Sequence, residues 1–155
     1  MRLRSEAFLS GGEIPRRHTG DGGDISPSFK WEGAPANTVE FALTAEDPDA
    51  GSDSPFVHWL LYKIPGEDEG VPEGIPAQLK LEDPSGAVQG KNSFGSMGYR
   101  GPYPPKSAGQ HRYRFTLYAL KKELSVPAGA DITALKKALE PNIIEKIELI
   151  GMYRR

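Results

Sequence analysis

Apolar and polar residues alternate along several stretches of this chain, with the period of two that a half-buried strand requires. The clearest case is HRYRFTLYAL, His111 to Leu120. There His111, Tyr113, Phe115, Leu117 and Ala119 share one face, and Arg112, Arg114, Thr116 and Tyr118 share the other. TVEFALTAED, Thr38 to Asp47, sets Val39, Phe41, Leu43 and Ala45 against Glu40, Thr44 and Glu46. FVHWLLYKI, Phe56 to Ile64, is apolar almost throughout and rich in β-formers, which predicts a central strand. Shorter alternations predict an opening strand in RLRSEAF (Arg2 to Phe8), strands at SFKW (Ser28 to Trp31) and GAVQG (Gly86 to Gly90), and a closing strand in IEKIELIGMY.

One stretch has the helical period instead. In DITALKKALE, Asp131 to Glu140, Asp131 suits an N-cap, Ile132, Leu135 and Leu139 form an apolar stripe, and Pro141 stops the helix. Most strands are separated by far more than hairpin turns, and residues 65 to 110 hold little beyond GAVQG. A structureless stretch of that length in a compact domain is commonly functional. The pattern predicts an all-β fold with one minor helix before the last strand. The long connections favour a Greek-key sandwich over a simple meander. No repeat, linker or low-complexity tract divides residues 1–155, so a single domain is expected.

Composition sharpens this picture. Gly and Pro number 18 and 14 of 155 residues, well above an ordinary combined share of roughly 12%; that suits long, well-determined loops. The absence of cysteine removes disulfides, thiol chemistry and Cys-rich zinc sites, and fits a reducing cytosol. A formal charge of −2 argues against a nucleic-acid partner. MRLRSEAF carries charge where a leader needs apolar residues, and no run is long enough to span a bilayer. A cytoplasmic protein without integral membrane association is therefore expected. The Gly-rich fingerprints of nucleotide folds are absent too.

Four stretches could carry chemistry. In EDPDAGSDSPFVHW, Asp47 and Asp49 flank Pro48, and His58 follows inside an apolar strand. The aspartates make a turn in any case, but a buried imidazole needs a partner for each nitrogen, and an ionised aspartate is a good one. In HRY, His111 and Tyr113 leave the same strand face. In FGSMGYRGPYPP, Gly95, Gly98 and Gly101 permit close backbone approach, and amides of such a loop can converge on an anion. In GDGGDISPSFKW, Asp24 is suited to bracing a loop or to nothing more than a cap. His58, His111, Asp47 and Asp49 have metal-ligating atoms, but no short-spaced His pair accompanies them. Ser54 and Ser93 lack a nucleophile elbow.

Taken together, SPSFKWEGAP, FALTAEDPDA, FVHWLLYKIP and NSFGSMGYRGPYPPKSAGQHRYRFTLYAL resemble the phosphatidylethanolamine-binding protein family, also called Raf kinase inhibitor-like, in its bacterial and archaeal branch. The resemblance runs from about Arg4 to the closing ELIGMYRR. It implies a β-sandwich of two antiparallel sheets with a ligand pocket at one end, lined by Asp47, Asp49, His58, Pro104, Pro105, His111 and Tyr113. It also implies a homodimer, and allows as the alternative function a regulatory inhibitor of a protein kinase or serine protease acting through its surface loops. Where the family commonly has cysteine, this chain has Gly20, and Pro141-Asn142 replaces a Gly-His before the last strand.

The function expected is binding without turnover and without a cofactor. A small anion, such as a phosphate or phospholipid head group, would accept hydrogen bonds from His58, His111, the Tyr113 hydroxyl and glycine amides. Asp47 and Asp49 would orient those groups and raise a neighbouring histidine's pKa, so binding would strengthen as pH falls.

Overall fold

In the computed structural model, which describes residues 1–155, strand β3 (Glu40–Asp47) is buried along its whole length. The sequence pattern predicts only one buried face. The second is covered because the sheet containing β3 is packed on both sides. Its strands run in the order β6 (Val88–Gln89), β4 (Phe56–Pro65), β3, β7 (His111–Leu120) and β8 (Ile143–Tyr153). All neighbours are antiparallel. The chain leaves β4, passes through β6 and returns on the far side of β3 as β7, so the order is not that of a meander.

A smaller sheet of β1 (Arg2–Arg4), β2 (Phe29–Glu32) and β5 (Gly70–Val71) forms the second layer. Between the layers lie Leu3, Phe29, Trp31 and Val71 from the small sheet, with Phe41, Leu43, Trp59, Leu61, Phe115 and Leu117 from the large one. The aromatic rings interlock there, with Phe29 4.9 Å from Phe115 and Trp31 5.1 Å from Phe41 between centroids. On the outer face of the large sheet, helix α1 (Ile132–Leu139) contributes Leu135 and Leu139 to a second cluster with Ala42, Leu60, Tyr62, Tyr118 and Leu120. No helix is long and apolar enough to cross a membrane.

Several local expectations shift. The Asp131 side chain does cap α1, accepting from the Ala134 amide at 2.9 Å. Pro141, however, sits within a further 3-10 turn over Glu140–Asn142 rather than beyond the helical stop. Proline tolerates that place because the first amides of a turn need no partner. Val39 lies outside β3 and is exposed, the opening strand is three residues long, and the second spans Phe29–Glu32. The long connection contains two short strands where the pattern showed one; β5 escapes it because two residues carry no period.

Candidate ligand-binding site

At one end of the sandwich the inward rows of the large sheet change from apolar to polar. Along β7 the row Leu117, Phe115 continues as Tyr113 and His111, and along β3 Leu43 and Ala45 are followed by Asp47. Strand β4 reaches the same place by an irregularity. Ala45 pairs with Trp59 and Glu46 with Val57, so His58 has no partner across the ladder. A bulge of this kind re-aims a side chain. His58 thus joins the inner side with Trp59, against Tyr113 at 5.2 Å between ring centroids. Strict alternation could not have placed those two neighbouring side chains together.

The result is a cavity of about 190 Å³ lined by Asp47, His58, His111 and Tyr113, with Phe56, Phe94, Tyr103, Pro104 and Pro105 around them. Six of the seven residues expected at the site line it. Asp49 does not. It stands beside the cavity, where its carboxylate takes the Arg112 backbone amide at 2.8 Å and the Arg112 guanidinium at 2.8 and 3.0 Å. That fork-on-fork pairing holds the Asp49 carboxyl down at about 2. Phe56, Phe94 and Tyr103 were not anticipated as lining residues; their aromatic character around the polar stretches was the available signal.

The two imidazoles are tethered differently. His111 Nδ1 lies 2.7 Å from Asp47 Oδ2, while Asp47 Oδ1 accepts the Asp49 amide at 2.7 Å. His58 does not pair with an aspartate, contrary to expectation. Its Nδ1 donates to the Arg100 carbonyl at 2.6 Å, because the 93–101 loop folds back over β4. Nor is its pKa raised: burial lowers it and outweighs the opposing effects of the Arg100 carbonyl and of Asp47.

The glycine loop is also used otherwise than expected. The Gly101 amide donates to Asp24 Oδ1 at 2.6 Å and the Gly95 amide to the Asn92 carbonyl at 3.1 Å. No glycine lines the cavity. Asp24 braces the loop, with Arg100 Nε a further 3.3 Å from its other oxygen. The close approach predicted for Gly101 is real, since a Cβ there would run into the His18 carbonyl and Asp24.

Two features define what the cavity can do. Each histidine has its Nδ1 engaged, which leaves Nε2 as the nitrogen free for a ligand. The Tyr113 hydroxyl is shut off from solvent without a hydrogen-bond partner, and burial raises its pKa, with Asp47 adding to the effect. It is therefore a neutral donor. No cluster of three or more metal-ligating side chains occurs.

Comparison with known proteins places these features in context. A family model described as phosphatidylethanolamine-binding protein matches residues 4–154. A UPF0098 protein of Methanothermobacter thermautotrophicus is 43% identical over 155 residues, covering 100% of this chain and 99% of the relative. The crystal structure of Escherichia coli YbcL superposes with a TM-score of 0.92 at 33% identity, over 99% of this chain and 98% of that one. A phosphatidylethanolamine-binding protein homologue from Chlamydia trachomatis gives 0.87 at 33% identity, over 99% and 96% of the two chains.

Proposed function

Because the chain belongs to the phosphatidylethanolamine-binding protein family, we propose that it is a binding protein, without turnover, whose cavity holds an anionic group such as a phosphate or a phospholipid head group. The observation that carries this is the Tyr113 hydroxyl, a buried donor left without a partner beside two imidazoles. Leaving such a group unsatisfied costs about 1–3 kcal/mol, and an acceptor that reaches it from the cavity, as neighbouring side chains shift to uncover the hydroxyl, would recover that cost.

The imidazoles add a condition. A ring that donates from Nδ1 presents a lone pair at Nε2, and becomes a donor there only by taking up a proton. Burial keeps His58 neutral in the empty cavity near neutral pH. An anion and a proton therefore enter together, and affinity rises as pH falls. The direction matches the sequence-based expectation, but its cause is proton uptake on binding rather than a pre-charged histidine. Asp47 repels an anion at long range and serves to hold His111 in place.

The test is calorimetric titration of inorganic phosphate and phosphoethanolamine between about pH 5 and 8, in wild type and His58→Ala. Both proteins face the same titration of the ligand, so their difference isolates the imidazole. Wild type is expected to bind more tightly at the acid end, with proton uptake measurable from buffers of different ionisation enthalpy. Equal affinity in the two proteins would overturn the reading. The same proposal includes a cytoplasmic setting, in keeping with a chain that lacks cysteine, and a homodimer, which light scattering checks.

A further inference from the structure

Tyr103 stands at the mouth of the cavity with half its surface exposed, yet its ring is held by residues distant in sequence. It packs against Gly20 so closely that a Cβ on that glycine would lie 2.7 Å from Tyr103 Cδ1 and 2.9 Å from its Cβ and Cγ. The Gly20 amide donates to the neighbouring Pro102 carbonyl at 2.9 Å. Arg155 covers the ring, its guanidinium carbon 3.8 Å from the centroid and its Nη2 3.0 Å from the hydroxyl. Asp21 fixes Arg155 in turn. One of its oxygens takes Arg155 Nε at 3.0 Å, while the other takes the Tyr153 hydroxyl at 2.6 Å. Tyr153 lies opposite His111 in the β7–β8 ladder, so this chain of contacts begins at the site itself.

We propose that Gly20 and Arg155 are positioning residues that hold the Tyr103 ring as the lip of the cavity, and so set the bulk of ligand that the cavity admits. The proposal rests on the reading of the cavity as an anion site. A planar guanidinium stacked on a ring and anchored by a carboxylate resists the swing that an exposed tyrosine otherwise makes. Gly20 supplies the seat. Its backbone is outside the left-handed region, so a substitution there adds no strain of its own and acts by displacing the ring.

Two variants and two readouts decide the matter. Arg155→Ala frees the lip, and the affinity of phenyl phosphate relative to inorganic phosphate is expected to rise by about two- to fivefold, the range set by loss of one exposed cation–aromatic contact. At a pH where the two anions carry the same charge, removing one positive charge affects both alike and cancels in the ratio. Without any ligand, the Tyr103 ring resonances are expected to move in both Arg155→Ala and Gly20→Ala. Unmoved ring resonances in the two variants, or a ratio unchanged in Arg155→Ala while Tyr103 moves, would overturn the proposal. Failure of wild type to bind either anion would instead remove the anion reading, with the ring resonances still deciding whether Gly20 and Arg155 position Tyr103.

Discussion

His111 Nδ1 and Asp47 Oδ2 meet at 2.7 Å with their side chains only 8% and 5% exposed. The same carboxylate holds the Asp49 amide with its other oxygen, so one buried side chain fixes both an imidazole and the turn after β3. Asp47→Ala strands both donors and is expected to lower stability by about 2–4 kcal/mol. Urea unfolding followed by tryptophan fluorescence measures it, and a loss below about 1 kcal/mol would show that solvent replaces the carboxylate freely.

Tyr113→Phe should separate stability from binding. The hydroxyl has no partner in the protein, so its removal is expected to leave the empty protein as stable as before or more so. Phosphate affinity should nevertheless fall about tenfold, the loss of one hydrogen bond to a charged acceptor. A variant that loses stability but binds normally would contradict the role given to the hydroxyl.

Acid should destabilise the empty protein through His58. Its native pKa is depressed by burial, so as pH falls below about 6.5 the unfolded chain takes up a proton before the native one does. Stability is then full above that pH and declines toward the depressed native value. The decline should be absent in His58→Gln and reduced by saturating phosphate. Urea midpoints across the range check both.

Asp49 acts in a lower window. Arg112 holds its carboxyl at about 2 in the native state, against about 3.9 unfolded. Its contribution is therefore present above about pH 4 and lost as pH falls toward 2. The pair is partly open to solvent, with side chains 54% and 28% exposed, which limits the contribution to about 1 kcal/mol or less. Asp49→Asn should cost that amount at neutral pH and nothing in strong acid, as read from urea midpoints at the two pH values.

Much of the site was legible because polar residues interrupt apolar strands. His58 inside FVHWLLYKI, and His111 and Tyr113 at the head of a clean alternation, are costly to bury without purpose. Their partners were not legible. An imidazole N–H donates to any suitable acceptor within reach, so nothing in the residues distinguished Asp47 from the Arg100 carbonyl as the group that holds His58. The use of the loop's glycine amides was not legible for a related reason: Asp24, distant in sequence, takes the one at Gly101.

By itself the sequence determined the long strands β3, β4, β7 and β8, the capped helix, and the polar side chains that interrupt apolar strands. Those follow from side-chain period and from the cost of burying polar groups, which are properties of short stretches. Only the tertiary structure decided which aspartate meets which histidine, that a skipped residue in the β3–β4 ladder turns His58 inward, and that Arg155 and Gly20 reach Tyr103. Each depends on register and on contacts between residues far apart in the chain, and a local pattern carries no record of either.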